Sequence, residues 1–199
     1  MNNFQKSITA VSLALVVVFA VGVPSGAAIT QPGARAAHRT VVSHVVKTKK
    51  VVFKGTYTGK IALLMVGAAS SADSVKVTSV KGTGTGTLLG KGTVSGTGSA
   101  PATSQTDAIT GKGILSGGGS KLMLTVVTSK SFGTAAATAT PTSVSVSGVA
   151  KVTSGTGKYK GVSGNLTFKG SFNVVSNSPG GSESDAFTAT LSGTLTIKN

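Results

Sequence analysis

Few side chains in this 199-residue chain could carry chemistry. There are four acids (Asp73, Asp107, Glu183 and Asp185), two histidines (His38 and His44) and no cysteine. General acid–base work needs a titratable pair within reach of a substrate, with environments that hold the two pKa values apart. Asp73, Glu183 and Asp185 fall in Ser-, Gly- and Pro-rich stretches that predict solvated turns. Asp107 precedes a strand candidate (Ala-Ile-Thr-Gly) and reads as a turn cap or a partner for a lysine. Two histidines without cysteine or a neighbouring acid make a poor metal centre, since zinc takes three or four protein ligands. The missing cysteine also removes thiol nucleophiles, thiolate ligands and disulfides. No Gly-x-Ser-x-Gly elbow stands in a strand–turn–helix context. Gly90-Lys91, Gly111-Lys112 and Gly157-Lys158 each lack the glycine five residues upstream that a phosphate loop needs. The expectation is no catalytic residue, no cofactor and no metal ligand.

Charge is the stronger signal. Lys and Arg number 19 against the four acids, a formal net charge of +15. The densest stretch is Arg35, Arg39, Lys47, Lys49, Lys50, Lys54 and Lys60. A cationic surface of this kind attracts polyanions, and spaced lysines also keep a protein soluble and discourage edge-to-edge strand pairing. Nucleic acid is not an expected partner. Single-strand binders add stacking aromatics to a basic groove, whereas Phe168, Phe172 and Phe187 fall on dry strand faces, and Tyr57 and Tyr159 read as hairpin packing. Anionic cell-envelope polymers or a small apolar ligand are the expected partners.

The first residues have the form of an export signal. Lys6 supplies a positive start, an apolar run extends from Ile8 to Val23, and Pro24, Ser25 and Gly26 break it ahead of Ala27 and Ala28. The run is shorter than the roughly 20 residues of a bilayer-spanning helix. The predicted organisation is a signal peptide over 1–28, a linker over 29–40 and a β domain over 41–199. The mature chain is expected to have no transmembrane segment and to be secreted or associated with the cell envelope.

Beyond the linker, Val, Thr and Gly dominate, a composition that fits pleated strands and not helices. Period-two alternation is the decisive pattern. Phe187, Ala189, Leu191, Leu195 and Ile197 share one face, with Thr188, Thr190, Ser192, Thr194 and Thr196 on the other. Leu166, Phe168, Phe172 and Val174 repeat the pattern, as do Val144, Val146, Ala150 and Val152. Leu122, Leu124 and Val126 mark another strand, and Val75 with Val77, and Val51, Phe53 and Tyr57, mark two more. Thr85–Ser95 and Ala108–Leu115 are weaker, Gly-rich candidates. Turn signals lie at 70–73, 117–120, 155–157 and 178–181. About eight strands joined by short turns predict an all-β fold, a single antiparallel barrel or sandwich. The Thr–Gly run from Gly82 to Gly98 also suits a short-period solenoid.

Residues 154 to 170 (Ser-Gly-Thr-Gly-Lys-Tyr-Lys-Gly-Val-Ser-Gly-Asn-Leu-Thr-Phe-Lys-Gly) form a Gly-rich hairpin motif, with Gly155, Gly157, Tyr159, Gly161 and Gly164 at its fixed positions. This stretch resembles a hairpin of the allene oxide cyclase and dirigent-like barrel family, which has bacterial secreted members of unknown role. The resemblance implies a calycin-like, eight-stranded antiparallel barrel. The family's plant enzymes work with polar groups inside the cavity, and none of those residues transfers to this chain. Three readings follow. The first is a secreted, non-enzymatic binding or envelope-associated barrel. The second is a dirigent- or cyclase-like isomerase acting on an apolar small molecule. The third is a surface adhesin.

Overall fold

Strands form where β-branched and apolar residues alternate, and they break where Gly, Ser and Pro accumulate. A computed structural model describes residues 46–68, 72–136, 142–175 and 178–198. The predicted leader, the linker and both histidines lie outside these residues. Ten strands follow in order: β1 (Thr48–Val66), β2 (Ser74–Gly86), β3 (Gly90–Pro101), β4 (Thr106–Ala108), β5 (Thr110–Gly117), β6 (Ser120–Val126), β7 (Phe132–Ala135), β8 (Thr142–Gly155), β9 (Ser163–Val174) and β10 (Ser182–Lys198). The described helical residues are two single 3-10 turns, Thr128–Lys130 and Gly157–Tyr159.

Hydrogen bonding runs β8-β6-β5-β3-β2-β1-β10-β9, and β9 pairs again with β8. The result is a closed eight-stranded antiparallel barrel. The remaining strands, β4 and β7, pair with each other, and β7 pairs with the first half of β8. They carry the β5 and β6 positions onward past breaks at Ile109 and at the Thr128–Lys130 turn. Ser131 fills the break. It is fully buried, its hydroxyl donates to the Val127 carbonyl at 2.9 Å, and it accepts from the Val149 N–H at 3.1 Å. Gly148 leaves room for it, since a methyl there would sit 2.2 Å from the Ser131 Oγ.

The interior is built by alternate residues. Phe53, Tyr57, Leu115, Leu122, Val152, Leu166 and Leu195 make one apolar cluster; Ile61, Leu63, Met65, Ala72 and Phe187 make the other. Val94 touches both. Beside these large side chains, on β1 itself and on the strands that follow it round the ring, glycines hold inward positions. Gly59 faces Gly82, Gly92 faces Gly117, Gly96 faces Gly113 and Gly98 faces Gly111. The strands curl so tightly there that a methyl at Gly59 would lie 2.2 Å from the Lys81 carbonyl oxygen, and one at Gly92 1.8 Å from that of Ser116. Glycine inside a strand marks such close backbone approach. The Thr–Gly run thus forms β2 and β3 of the barrel, not the coils of a solenoid. Thr85–Ser95, read as one weak strand, contains the β2–β3 turn at 87–89.

The 154–170 motif joins β8 to β9. Gly157 (φ 60°) and Gly161 (φ 76°) adopt left-handed conformations that a side chain would strain. Between them Tyr159 turns inward, and its hydroxyl donates to the Leu88 carbonyl in the β2–β3 turn. Two turns distant in sequence are thereby joined across one end of the barrel.

The inward glycines give a direct test. Gly59→Ala is expected to destabilise the fold by about 1–3 kcal/mol through overpacking. Thr58→Val, one residue away on the outer face, should stay within about 0.5 kcal/mol. Urea midpoints of the two variants measure the difference.

Candidate functional site

Inside the barrel, titratable groups are few and lie apart. Tyr57 is 1 % exposed, and its hydroxyl has no hydrogen-bond partner. Burial pushes its pKa above the usual value of 10, so near neutral pH it is a phenol able to donate one hydrogen bond.

The acids on β10 depart from the sequence reading. Glu183 and Asp185, expected in a solvated turn, belong to β10 and share the inward parity of Phe187. The turn ends at Gly181, and the strand begins one residue later. Asp185 pairs with Ile61, and its Oδ2 is buried without a hydrogen-bond partner. Glu183 pairs with Leu63, and its Oε2 accepts the Val175 N–H at 2.9 Å. The dry face of β10 therefore does carry acids at its first turn-proximal positions. In register, Asp185 stands four residues along β1 from Tyr57, about 13 Å of backbone at the usual rise per residue. The geometry does not bring phenol and carboxylate together as an acid–base pair.

The other acids match expectation. Asp73 is exposed beside the start of β2. Asp107 caps the loop before β4: its carboxylate accepts from the Ser104 hydroxyl at 2.8 Å and from the Ser104 and Thr103 N–H groups at 3.1 and 3.2 Å. The Ser104 hydroxyl bond is the main cause that holds its pKa below the usual carboxylate value. Among the described residues no group of three or more His, Cys, Asp or Glu side chains is placed to hold a metal ion. Nor is any helix there long and apolar enough to cross a membrane.

The outer face is different in kind. Every lysine from Lys47 to Lys198 is exposed. Strand register aligns outward residues into rows. One row runs Thr106, Thr134, Ser145, Ser171, Thr188, Thr58, Thr83, Thr93 and Ser116. The next runs Ser147, Lys169, Thr190, Thr56, Thr85 and Lys91. Neighbouring hydroxyls touch at Ser171–Thr188 (3.3 Å) and Thr106–Thr134 (3.1 Å). Two open depressions lie on this hydroxylated exterior. One, of about 560 Å³, is walled by Ser145, Ser147, Lys169, Ser171, Thr188 and Thr190. The other, of about 630 Å³, includes Lys76, Thr97, Ser99, Thr110 and Lys112.

These features define an all-β, closed eight-stranded antiparallel barrel with an apolar interior and a lysine- and hydroxyl-bearing exterior. The chain matches no family model, no curated protein and no solved structure.

The structure thus keeps the five motif residues Gly155, Gly157, Tyr159, Gly161 and Gly164 together as a hairpin. It adds Ser131, which sequence reasoning missed, and moves Glu183 and Asp185 from the expected turn to inward strand positions. Parity held the signal for the two acids, since the alternation through Phe187 continues two and four residues back.

The orphan phenol makes a pH prediction. A raised folded pKa contributes stability that is present below the unfolded pKa near 10 and lost as pH rises through the folded value. Tyr57→Phe also removes a buried hydroxyl without a partner, whose desolvation costs about 1–3 kcal/mol. The variant is expected to be at least as stable as the parent at pH 7, with the gap between them widening above pH 10. Urea midpoints across pH 7 to 11 check this, and a clearly destabilised variant at pH 7 would show that the hydroxyl has a stabilising partner.

Proposed function

We propose that the protein is a secreted, non-enzymatic barrel that binds anionic polymer of the cell envelope. The observation that carries this reading is the division of charge. Lysines occupy the exterior throughout the described residues. Of the four acids, Glu183 and Asp185 take inward positions, and Asp107 is engaged by its own loop. A surface so depleted of carboxylates has little internal compensation, and its field extends outward to polyanions. The export-type leader in the sequence supports the same address.

The resemblance of the 154–170 hairpin to the allene oxide cyclase and dirigent-like family supports a second reading, an isomerase or carrier for an apolar small molecule. Tyr57 favours it, as a buried hydroxyl donor with no partner inside the barrel. Saturable quenching of tyrosine emission by an apolar ligand, lost in Tyr57→Phe, is what this second reading requires.

The leading reading is tested by chromatography of the full chain on immobilised dextran sulfate and on neutral dextran. Retention on the sulfated matrix at about 0.05 M salt and release by about 0.5 M salt are expected, because exposed charge pairs are screened at that strength. Equal elution from both matrices at low salt would overturn it.

A further inference from the structure

We propose that polymer binding is concentrated on one face of the barrel, the outward side of β9, β10, β1, β2 and β3, and that this face takes an extended polymer bearing phosphate esters. The inference rests on the reading above and goes further by assigning the surface and its ligand chemistry.

At the centre of this face lies a block of six threonines in register. Thr188, Thr58 and Thr83 form one row, and Thr190, Thr56 and Thr85 the next. All six are exposed. Adjacent strands lie about 4.8 Å apart, and same-face residues on one strand about 6.7 Å apart, so the block offers hydroxyls on a regular mesh. Five lysines frame it. Lys54 and Lys60 stand two residues beyond the block at either end of its β1 segment. Lys81 lies two residues before Thr83. Lys169 pairs with Thr190 and Lys91 with Thr85. Outward positions of these five strands carry no acid. Short hydroxyls thus form a floor between longer cationic arms, and the depression of about 560 Å³ beside Lys169 continues that floor through Ser171 and Thr188.

Two features argue that these lysines serve more than solubility. Lys60 and Lys81 are direct cross-strand partners, and like charges directly opposite each other destabilise a sheet. An anion between them would relieve that repulsion. Lysines can also guard exposed strand edges, but Lys60, Lys81 and Lys169 stand where their strands are paired on both sides. They have no edge to guard.

The hydroxyls select the ligand class. Threonine hydroxyls and lysine ammoniums both donate to ester oxygens, and ionised acceptors strengthen such bonds. Single-stranded nucleic acid needs aromatic platforms for its bases. Tyr57, Phe168, Phe172 and Phe187 on these strands all have inward parity. The polymer of this proposal is therefore a polyol phosphate, whose repeating esters present ionised oxygens to both kinds of donor.

The test compares two full-length variants of equal net charge. One carries Lys54, Lys60, Lys81, Lys91 and Lys169 as Gln; the other carries Lys112, Lys121, Lys130, Lys151 and Lys160 as Gln. Affinity is measured for poly(glycerol phosphate), dextran sulfate, neutral dextran and single-stranded DNA over a salt series, with circular dichroism confirming the fold. The face variant is expected to lose about 100-fold or more in affinity for poly(glycerol phosphate), and its salt slope should fall by about one per lysine removed. The control variant should keep affinity within about fivefold. A larger loss for dextran sulfate than for poly(glycerol phosphate) would overturn the phosphate assignment. A third variant, Thr56, Thr58, Thr83 and Thr85 to Val, keeps the β-branched shape. It should weaken binding by about tenfold without changing the salt slope, since each hydroxyl contributes a modest net hydrogen bond. Equal losses in the face and control variants would overturn the face while leaving the polyanion reading intact. Failure of the parent chain to bind either anionic polymer would overturn both. Tighter binding to the DNA than to the polymers would overturn the ligand class.

Discussion

Eleven register pairs between β8 and β9, from Thr142 opposite Val174 to Val152 opposite Gly164, turn a sheet into a ring. Everything else in the structure answers to that closure. A ring of eight strands has an interior only just wide enough for side chains, so the inward positions must share a fixed volume. This chain meets the limit unevenly. Strand β1 contributes Phe53, Tyr57, Ile61, Leu63 and Met65, whereas β2, β3 and β5, next to it in the ring, contribute inward glycines. Large residues on β1 have room because the neighbouring strand gives up Cβ atoms, as at Gly84 beside Tyr57 and Gly86 beside Phe53. The same omission lets neighbouring backbones approach to distances at which no alanine would fit.

Closure also fixes where charge can go. With no cysteine to cross-link the fold, stability rests on the ladder and the apolar interior, and neither tolerates an inward lysine. The lysines from Lys47 to Lys198 are all driven outward, and strand register then decides which of them become neighbours. Lys60 meets Lys81 not through sequence proximity but because β1 and β2 pair at that level. The threonine block has the same origin. Thr58 is two residues from Thr56 along β1, but its partners Thr83 and Thr188 come from distant parts of the chain.

That distinction explains what the sequence disclosed. Period two identified the dry faces of β8, β9 and β10, because side-chain parity is a local property. The all-β class and the number of barrel positions followed from it. Glu183 and Asp185 read as turn acids because Ser-Pro-Gly-Gly immediately before them is a strong turn signal, while the parity that places them inside is set by Phe187 further on. The β2–β3 turn was hidden for the opposite reason. Thr87-Leu88-Leu89 has two apolar residues where turns usually carry polar ones, since Leu89 is buried in the interior and the Leu88 carbonyl accepts from Tyr159. Rows of hydroxyls across the strands were illegible, because alignment between strands is non-local. Asp107 was readable as a cap, since its partners Thr103 and Ser104 are adjacent in sequence.

The strict in–out alternation of β1 has a consequence for how the chain can diverge. Over Lys54–Ile61 each outward lysine or threonine is followed by an inward residue. One residue inserted in that interval would exchange the two sides of everything beyond it, turning Lys60 toward the apolar interior and Ile61 toward water. Relatives of this barrel should therefore keep the length of that interval and vary in length at the connections, such as 118–119, or at a bulge like the one between Val77 and Val80.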